Sequence, residues 1–420
     1  MRPILRALCL SVGIASFLPS RSEAQSSQWP GFRGGGDSRS RAVGLPLKWS
    51  DTENLAWQVE LPGYGQSSPV IWNGRVFVTT VAGPMQDRCA LHCVDLAAGK
   101  LLWSREIKGS QGVMTSDYVS KAAPTPAVDG DGVYALFETG DLASFSHTGE
   151  KRWQRSLVQE YGALKSNHGL GGSPVLSEKG LVVAVAHDGG SYLLLVDPKT
   201  GANRWKREHP IGVGWSTPVI ARHNGELQIL ISAPPRLSAY RLDDGEPRWS
   251  VNGLAGNTVP SPSVEGDLAV LASSERGNTL AVKLGVTGDT TGAAVRWKQT
   301  AATCSFGSPL ISEGRVYFTD RVGTAYCVSL ASGAVEWETR LPASSWASPI
   351  AAGGRIYFFD TSGATTVFAA GPAMNKLAEN RLTISGRVYG AAAVDGAVVI
   401  RSGTRLMRVG KPGPAPGAAK

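Results

Sequence analysis

Short apolar runs recur along this chain, and most repeats open on a Ser-Pro or Thr-Pro pair. Within one repeat, two runs rich in β-branched and aromatic residues flank a turn pair such as Asn73-Gly74. That arrangement is typical of a β-hairpin, because glycine accepts a positive φ at little cost. A third apolar run leads to a turn glycine, and a fourth ends on a tryptophan. Each repeat therefore predicts four antiparallel strands.

The spacing of the repeats predicts the architecture. Successive openings lie 40 to 57 residues apart, and a period of about 40 to 50 residues with four strands is typical of propeller blades. The openings are Ser68-Pro69, Thr125-Pro126, Ser173-Pro174, Thr217-Pro218, Ser261-Pro262, Ser308-Pro309 and Ser348-Pro349, with Ala391-Ala392 as a degenerate eighth. We therefore predict an all-β fold, an eight-bladed β-propeller of four-stranded antiparallel blades. The seventh blade has the weakest pattern, because residues 369–382 lack the tryptophan and a turn glycine at the usual position.

The two ends of the repeat region predict how the ring closes. Residues 53–61 hold one strand with Trp57 before the first Ser-Pro pair, whereas the last repeat supplies three strands and stops. The N-terminal strand should complete the C-terminal blade and so remove exposed strand edges. We place the propeller at residues 53–410, an N-terminal segment at 25–52 that packs on the disc, and a disordered tail at 411–420.

The first 24 residues follow the pattern of a secretory signal. Arg2 and Arg6 flank the start of an apolar run over residues 8–18, and Ser22 and Ala24 supply small residues at a cleavage site. The sequence therefore predicts export through a Sec-type signal, to the periplasm or out of the cell.

No membrane anchor is predicted for the exported chain, which should begin at Gln25. Cys9 stands too early, and lacks the preceding small residues, for a lipoprotein signal. No other stretch reaches the roughly 18 apolar residues of a membrane span.

The charge balance does not indicate a nucleic-acid partner. The formal net charge is +8, but Arg2, Arg6 and Arg21 lie in the predicted signal, and the rest of the chain has no run of five like charges. A mildly basic, solvated surface fits these numbers, and we expect a monomer.

The cysteines are expected to belong to the core. Cys93 and Cys327 occupy a repeat position that holds Ala or Leu in other blades, which predicts buried thiols. Cys304 and Cys327 fall in one blade and form the favoured disulfide for an oxidising compartment, although Cys89, Cys93, Cys304 and Cys327 allow three pairings.

The repeats carry a family resemblance. Residues 193–205 and 325–337 resemble the tryptophan-docking repeat of the pyrroloquinoline-quinone (PQQ) propellers. That family includes quinoprotein dehydrogenases and the propeller subunit of the machinery that assembles outer-membrane β-barrels in bacteria. The resemblance implies that the outer-strand tryptophans pack between neighbouring blades. They are Trp57, Trp103, Trp153, Trp205, Trp249, Trp297 and Trp337.

The same resemblance defines what a dehydrogenase of this kind would need. Its members hold the quinone with calcium ligands and a general-base aspartate, and the alcohol-oxidising branch adds two adjacent cysteines. This chain has no Cys-Cys pair, and only Asn167 and Asp188 suggest themselves as polar groups near the axis. The six histidines show no ligand spacing either, so no catalytic residue and no metal site is predicted.

One long connection departs from the repeat. Residues 161–172 and 186–192 bring Lys165, Asn167, His168, His187 and Asp188 into one sector of the third blade. If the connection lies over the axial funnel, these residues would bind a polar ligand or a peptide. The alternative is a hydrogen-bond network that only holds the loop.

A second candidate site lies three residues before each opening proline, in the loop that points toward the axis. Blades six to eight place Phe306, Trp346 and Tyr389 there, and blade four places Trp215. Such a wall binds sugars, flat ligands or peptide side chains, or else packs against the neighbouring loop.

Three functions remain open from the sequence. The favoured one is an exported, non-catalytic propeller without a cofactor, which binds a protein or extended peptide partner, possible partners being other envelope proteins. The alternatives are a dehydrogenase dependent on PQQ and calcium, and a binder of carbohydrate or another small ligand.

Overall fold

Eight four-stranded sheets surround a common axis in the computed structural model, which describes residues 26–114, 116–209 and 211–411. All pairs within the blades are antiparallel, and two of the sheets gain one short additional strand each. The predicted eight-bladed propeller is thereby confirmed. The predicted signal at residues 1–24, Gln25, and all of the predicted tail except Lys411 lie outside the described residues. Within the described part of the chain, no helix has the length and apolar character that crossing a membrane requires.

The strands follow the chain in order around the ring. Before the first blade come α1 (Arg33–Gly36), β1 (Arg39–Ser40) and β2 (Leu55–Glu60). Blade one contains β3 (Val70–Trp72), β4 (Arg75–Ala82), β5 (Arg88–Asp95) and β6 (Leu101–Lys108). Blade two contains β7 (Ala127–Val128), β8 (Val133–Leu136), β9 (Asp141–Phe145) and β10 (Lys151–Ser156), with α2 (Leu157–Tyr161) after it. Blade three contains β11 (Val175–Ser177), β12 (Gly180–Val185), β13 (Tyr192–Val196) and β14 (Asn203–Glu208). Blade four contains β15 (Val219–His223), β16 (Glu226–Ala233), β17 (Arg236–Arg241) and β18 (Pro247–Asn252).

The second half continues in the same way. Blade five contains β19 (Ser263–Glu265), β20 (Leu268–Ala272) and β21 (Thr279–Lys283), then β22 (Gly288–Asp289), which pairs back with β18, and its own fourth strand β23 (Val295–Gln299). Blade six contains β24 (Leu310–Ser312), β25 (Arg315–Thr319), β26 (Thr324–Ser329) and β27 (Val335–Arg340). Blade seven contains β28 (Ile350–Ala352), β29 (Arg355–Phe359), β30 (Ala364–Ala369) and β31 (Lys376–Arg381). Blade eight contains β32 (Val388–Val394), β33 (Ala397–Ser402) and β34 (Arg405–Gly410).

The N-terminal strand closes the ring. β2 pairs antiparallel with β34, in a register that sets Leu55 opposite Val409 and Glu60 opposite Arg405. Blade eight thereby gains its fourth strand from the opposite end of the described chain. Closure of this kind covers the strand edge that β34 would otherwise expose.

The outer-strand tryptophans dock on the next blade along the chain. The indole of Trp153 donates to the carbonyl of Pro198, and a Cβ on Gly201 would lie 2.7 Å from its ring. Only glycine permits that approach, and its φ of +77° also favours glycine there. Six indoles donate in this way over 2.7–3.2 Å, those of Trp57, Trp103, Trp153, Trp205, Trp297 and Trp337. Trp249 instead donates to Gln228 of its own blade.

Blade seven receives its tryptophan from outside the repeat. Ala378 of β31 occupies the position that the tryptophan holds in other blades. Trp49 of the N-terminal segment packs into the same apolar cluster and stacks on Tyr357, with ring centres 6.4 Å apart. The corresponding distance within blade six, between Trp337 and Tyr317, is 6.0 Å. Trp49 therefore fills the space that the weak seventh repeat leaves.

A belt of hydroxyl groups connects the inner strands. The backbone N–H of Ser68 donates to the hydroxyl of Thr125 over 2.9 Å, and Thr125 N–H donates to Ser173 over 3.0 Å. The same bond continues around the ring through Thr217, Ser261, Ser308 and Ser348. These bonds satisfy buried amides that face the axis and set the register of one blade against the next.

The expected disulfide between Cys304 and Cys327 is wrong, because all four described cysteines are free and buried. Cys304 belongs to the cluster between blades five and six, whereas Cys327 belongs to the cluster between blades six and seven. The sheet of blade six therefore separates the two sulfur atoms. Burial raises the pKa of these thiols, to about 12 for Cys93 and in the same direction for Cys304, which makes them poor nucleophiles.

Replacing a docking tryptophan should destabilise the ring strongly. In Trp337→Ala we expect the free energy of unfolding to fall by about 3–5 kcal/mol, since a nearly buried indole and its hydrogen bond are lost. Val335→Ala on the same strand removes a side chain that is 37% exposed, and should change the free energy by about 0.5 kcal/mol or less. Urea denaturation measures both, and equal effects would contradict the docking role.

The hydroxyl belt can be tested at one blade. Ser173→Ala removes the acceptor of the buried Thr125 N–H, and should cost about 1–3 kcal/mol of unfolding free energy. Ser173→Thr keeps a hydroxyl of the kind that Thr125 and Thr217 already supply. We expect this variant to recover most of the loss. If alanine and threonine behave alike in urea denaturation, the belt does not stabilise the ring.

Candidate binding site on the propeller axis

The eight loop positions predicted to point toward the axis all line one cavity. Each loop returns from the outer strand of one blade to the inner strand of the next, so its last residues reach the centre of the ring. The cavity has a volume of about 230 Å³. Its lining includes Gln66, Ala123, Gly171, Trp215, Val259, Phe306, Trp346 and Tyr389. We call this cavity the axial funnel.

The N-terminal segment forms the floor of the axial funnel. Residues 29–38, here called the axial plug, cross the centre of the ring between the inner strands. Trp29 exchanges backbone hydrogen bonds with Ile71 of blade one, and the carbonyl of Ser38 accepts from Ala351 of blade seven. Trp29 is 2% exposed, so the plug is part of the core.

Arg33 of the axial plug is a buried cation that the sequence analysis missed. Its guanidinium donates to Ser38 Oγ, to the carbonyls of Pro262 and Pro309, and to Ser263 Oγ, all between 2.7 and 3.2 Å. Burial lowers the pKa of Arg33 to about 10, so the group stays charged at neutral pH. All four acceptors are neutral oxygens. The plug therefore places a guanidinium that no carboxylate of the described chain binds directly at the funnel floor.

The predicted aromatic wall forms on one side of the funnel. Phe306 stacks on Trp346 with ring centres 4.5 Å apart, and Tyr389 meets Trp346 edge-on at 6.0 Å. The guanidinium of Arg387 lies 5.0 Å from the centre of the Trp346 ring. Phe306 and Arg387 therefore both pack against the central ring of the wall.

Tyr118 completes the funnel mouth and was not predicted from the sequence. It belongs to the connector 109–126, between blades one and two. Its ring stacks against Trp346, which lies between blades six and seven, with ring centres 6.3 Å apart. Its side chain is 61% exposed. The one available signal was length, since the interval between the first two openings is the longest in the chain. Length alone did not say where the connector would lie.

The predicted polar cluster divides into two parts. His168 lines the funnel and contacts Trp215, with ring centres 5.5 Å apart. The other part is a local hydrogen-bond network. The Lys165 N–H donates to His187 Nδ1, and the Asp188 N–H donates to the Lys165 carbonyl. Burial lowers the pKa of His187. This half of the cluster holds the loop.

Asn167 lies in a second cavity of about 240 Å³ beside the funnel. The cavity lies between connector 109–126 and the long connection 161–172. Beside it, the Gln111 side chain and the backbone of Leu164 exchange two hydrogen bonds of 2.9 Å, which join the two segments. Asn167 is therefore not placed at the axis.

A buried carboxyl group supports connector 109–126. Glu138 accepts from the Ala122 N–H at 2.7 Å, and the Gln86 carboxamide, with its nitrogen facing these oxygens, donates to Glu138 and to the Ser120 carbonyl. Burial raises the pKa of Glu138 to about 7, against the smaller opposing effects of its hydrogen bonds and Lys121. Folding therefore favours the protonated acid.

Comparison with known proteins identifies the family. A family model described as "Outer membrane protein assembly factor BamB" matches residues 43–251 and 286–376, which is well over half of the chain. The chain belongs to this BamB family.

Individual members are distant in sequence. The assembly factor BamB of Moranella endobia is 22% identical over 261 residues, which cover 53% of this chain and 63% of that protein. BamB of Yersinia pestis is 25% identical over 224 residues, covering 53% of this chain and 52% of that protein. The chain therefore matches less than two thirds of the length of either relative.

Solved structures agree on the fold. The crystal structure of BamB from Moraxella catarrhalis covers 85% of this chain and 99% of its own, with a TM-score of 0.62 at 13% identity. A quinohemoprotein alcohol dehydrogenase from Comamonas testosteroni covers 94% of this chain and 82% of its own, with a TM-score of 0.66 at 10% identity. At such identities the likeness extends to the fold alone.

The funnel does not fit a calcium-bound quinone. Calcium takes six to eight oxygen ligands, several of them carboxylates. Among the described residues that line the funnel there is no Asp or Glu, and the described chain contains no group of three His, Cys, Asp or Glu side chains suited to a metal ion. The cations Arg33 and Arg321 line the cavity instead and would repel a divalent metal.

The raised pKa of Glu138 predicts a pH-dependent stability. Because the folded protein holds this proton more tightly than the unfolded chain does, its stabilising contribution is complete below pH about 4.5 and is lost as the pH rises through about 7. Relative to Glu138→Gln, the unfolding free energy should fall by up to about 3 kcal/mol across that interval. Urea titrations of both proteins at several pH values measure the difference. Parallel curves would show that Glu138 does not titrate in this range.

Proposed function

We propose that this chain is a non-catalytic interaction propeller of the bacterial envelope, which binds a protein partner on its funnel face during assembly of outer-membrane proteins. The family match supports this role, since its members are described as outer membrane protein assembly factors. Export to the periplasm agrees with the secretory pattern of residues 1–24. A cofactor is not needed for such a role.

The distribution of exposed apolar side chains carries the proposal. The funnel face is the side that holds the connectors between blades and the loops between the second and third strand of each blade. Of the eight large apolar side chains that are exposed in the described chain, four lie on this face: Met85, Met114, Tyr118 and Val322. They add apolar area around the funnel mouth, beside the aromatic wall. Exposed apolar area of this kind marks an interaction surface.

Both ends of the described chain lie away from the funnel face. The carbonyl of Ser26 accepts from Asp395 in the turn between β32 and β33, on the opposite side of the disc. Lys411 follows β34, which also runs toward that side. A partner can therefore approach the funnel without meeting either end of the described chain.

The dehydrogenase alternative receives less support. The dehydrogenases are similar to this chain at about 10% identity, and the funnel lining lacks carboxylates. The carbohydrate alternative receives less support too, since Trp346 already packs against Phe306 and Arg387.

Substitutions on the funnel face should abolish the role without unfolding the ring. In cells that lack the protein, we expect the double variant Met114→Ser, Tyr118→Ala to fail to restore outer-membrane protein levels and resistance to large antibiotics. Loss of a central aromatic contact typically costs about 2 kcal/mol or more, roughly a 30-fold weaker complex.

The matched control is Leu102→Ser, which changes another exposed apolar side chain, on β6 at the circumference of the ring. It should restore function fully at equal protein level. Restoration by both variants would exclude the funnel face as the docking surface.

A further inference from the structure

The axial funnel is closed at one end. The axial plug crosses its floor, and Trp29, Phe32 and Arg33 separate the funnel from a smaller space on the far side of the ring. Its volume of about 230 Å³ lies below the roughly 300–1,000 Å³ of typical small-molecule sites. A peptide that entered and left again would need room for two chain segments. A closed funnel of this size therefore fits a chain end better than a loop or a cofactor.

The charges inside the funnel all have one sign. Arg33 lies at the floor and Arg321 at the mouth, and no carboxylate is found among the described lining residues. The nearest acidic group to Arg33 in the plug, Asp37, already pairs with Arg39 over 2.9 Å. The funnel is therefore electropositive and lacks an internal counterion.

Arg33 also retains capacity to donate. A guanidinium carries five N–H groups, and the described contacts of Arg33 use four of them, all to neutral oxygens. Its side chain is buried, and burying a charge that no opposite charge binds directly is costly. An anion in the funnel would offset that cost, and a carboxylate is the anion that a polypeptide can deliver.

We infer that the funnel binds the C-terminal carboxylate of an extended partner segment, with Arg33 facing the carboxylate at the floor, Arg321 adding positive charge at the mouth, and Trp215 and Phe306 contacting an apolar last side chain. This inference rests on the proposed function and adds the chemical nature of the segment that enters the funnel. The connector that carries Tyr118 would contact the residues before the chain end.

Short peptides test the inference on the purified full chain. The first probe is Gly-Ser-Gly-Ser-Phe with fluorescein on its amino end and a free C-terminal carboxylate, and the second is the same peptide as its C-terminal amide. Fluorescence anisotropy should show at least tenfold tighter binding of the free acid, since charge-assisted bonds to a guanidinium are lost in the amide. A third peptide, Gly-Ser-Gly-Asp-Phe as the amide, moves the carboxylate to a side chain and should bind as weakly as the second. Equal binding of free acid and amide, or tight binding of the third peptide, would overturn the inference.

Variants assign the preference to the funnel. Arg321→Gln changes an exposed residue at the mouth, and should reduce the preference for the free acid severalfold without changing the thermal unfolding midpoint. Arg296→Gln, an exposed arginine on β23 at the circumference, is the matched control and should leave the preference intact. Arg33→Met should abolish the preference; if it loosens the plug and unfolds the ring, Arg321→Gln and the peptide comparison still decide. An unchanged preference in Arg321→Gln and in a folded Arg33→Met would place the peptide elsewhere.

The two tests fail independently. The cell assay on Met114 and Tyr118 reports whether the funnel face docks a partner at all. If that assay succeeds while the peptides show no carboxylate preference, the proposed function stands and the chain-end inference is wrong.

Discussion

The ring depends on the bond by which a hydroxyl of one blade accepts from a backbone amide of the blade before it. This belt runs from Ser68 to Ser348 at the inner edge of the sheets, where buried amides have no strand partner. It is interrupted at blade eight, where Ala391 has no hydroxyl. There Ser68 packs against Gly390, on which a Cβ would lie 2.0 Å from the Ser68 hydroxyl. The residues that line the funnel stand two positions before the belt, so the belt also holds them at the axis.

The N-terminal segment closes the central opening of the ring on one side. Two features outside the repeat, the axial plug and Trp49, occupy the axis and the gap in blade seven respectively. Both are held in the core. The same segment therefore closes the funnel and stabilises the weakest blade. In the plug, the buried guanidinium of Arg33 donates to neutral oxygens. Such a charge in a closed cavity is compatible with the anionic ligand that we propose.

The functional asymmetry arises where the repeat is broken. Six of the eight connectors between blades are short, and the connectors before blades two and three are long. Gln111 joins these two long connectors to each other. Over this sector Tyr118 crosses to Trp346 and His168 approaches Trp215. A regular propeller presents eight similar loops; here one sector covers part of the mouth and adds exposed apolar area. Glu138 is buried beneath this sector, and its carboxyl group accepts from the Ala122 N–H of the connector.

The sequence by itself determined the number of blades, their closure by β2 and the eight positions that meet at the axis. These follow from a period in which strand pairing is local, so spacing and turn residues suffice. The tertiary structure alone decided the position of the plug, the substitution of Trp49 for the missing tryptophan and the crossing of Tyr118. It also placed Cys304 and Cys327 on opposite sides of one sheet, and separated His168 from Lys165 and His187. These contacts join segments far apart in the chain that carry no period, and their partners are set by the shape of the closed ring.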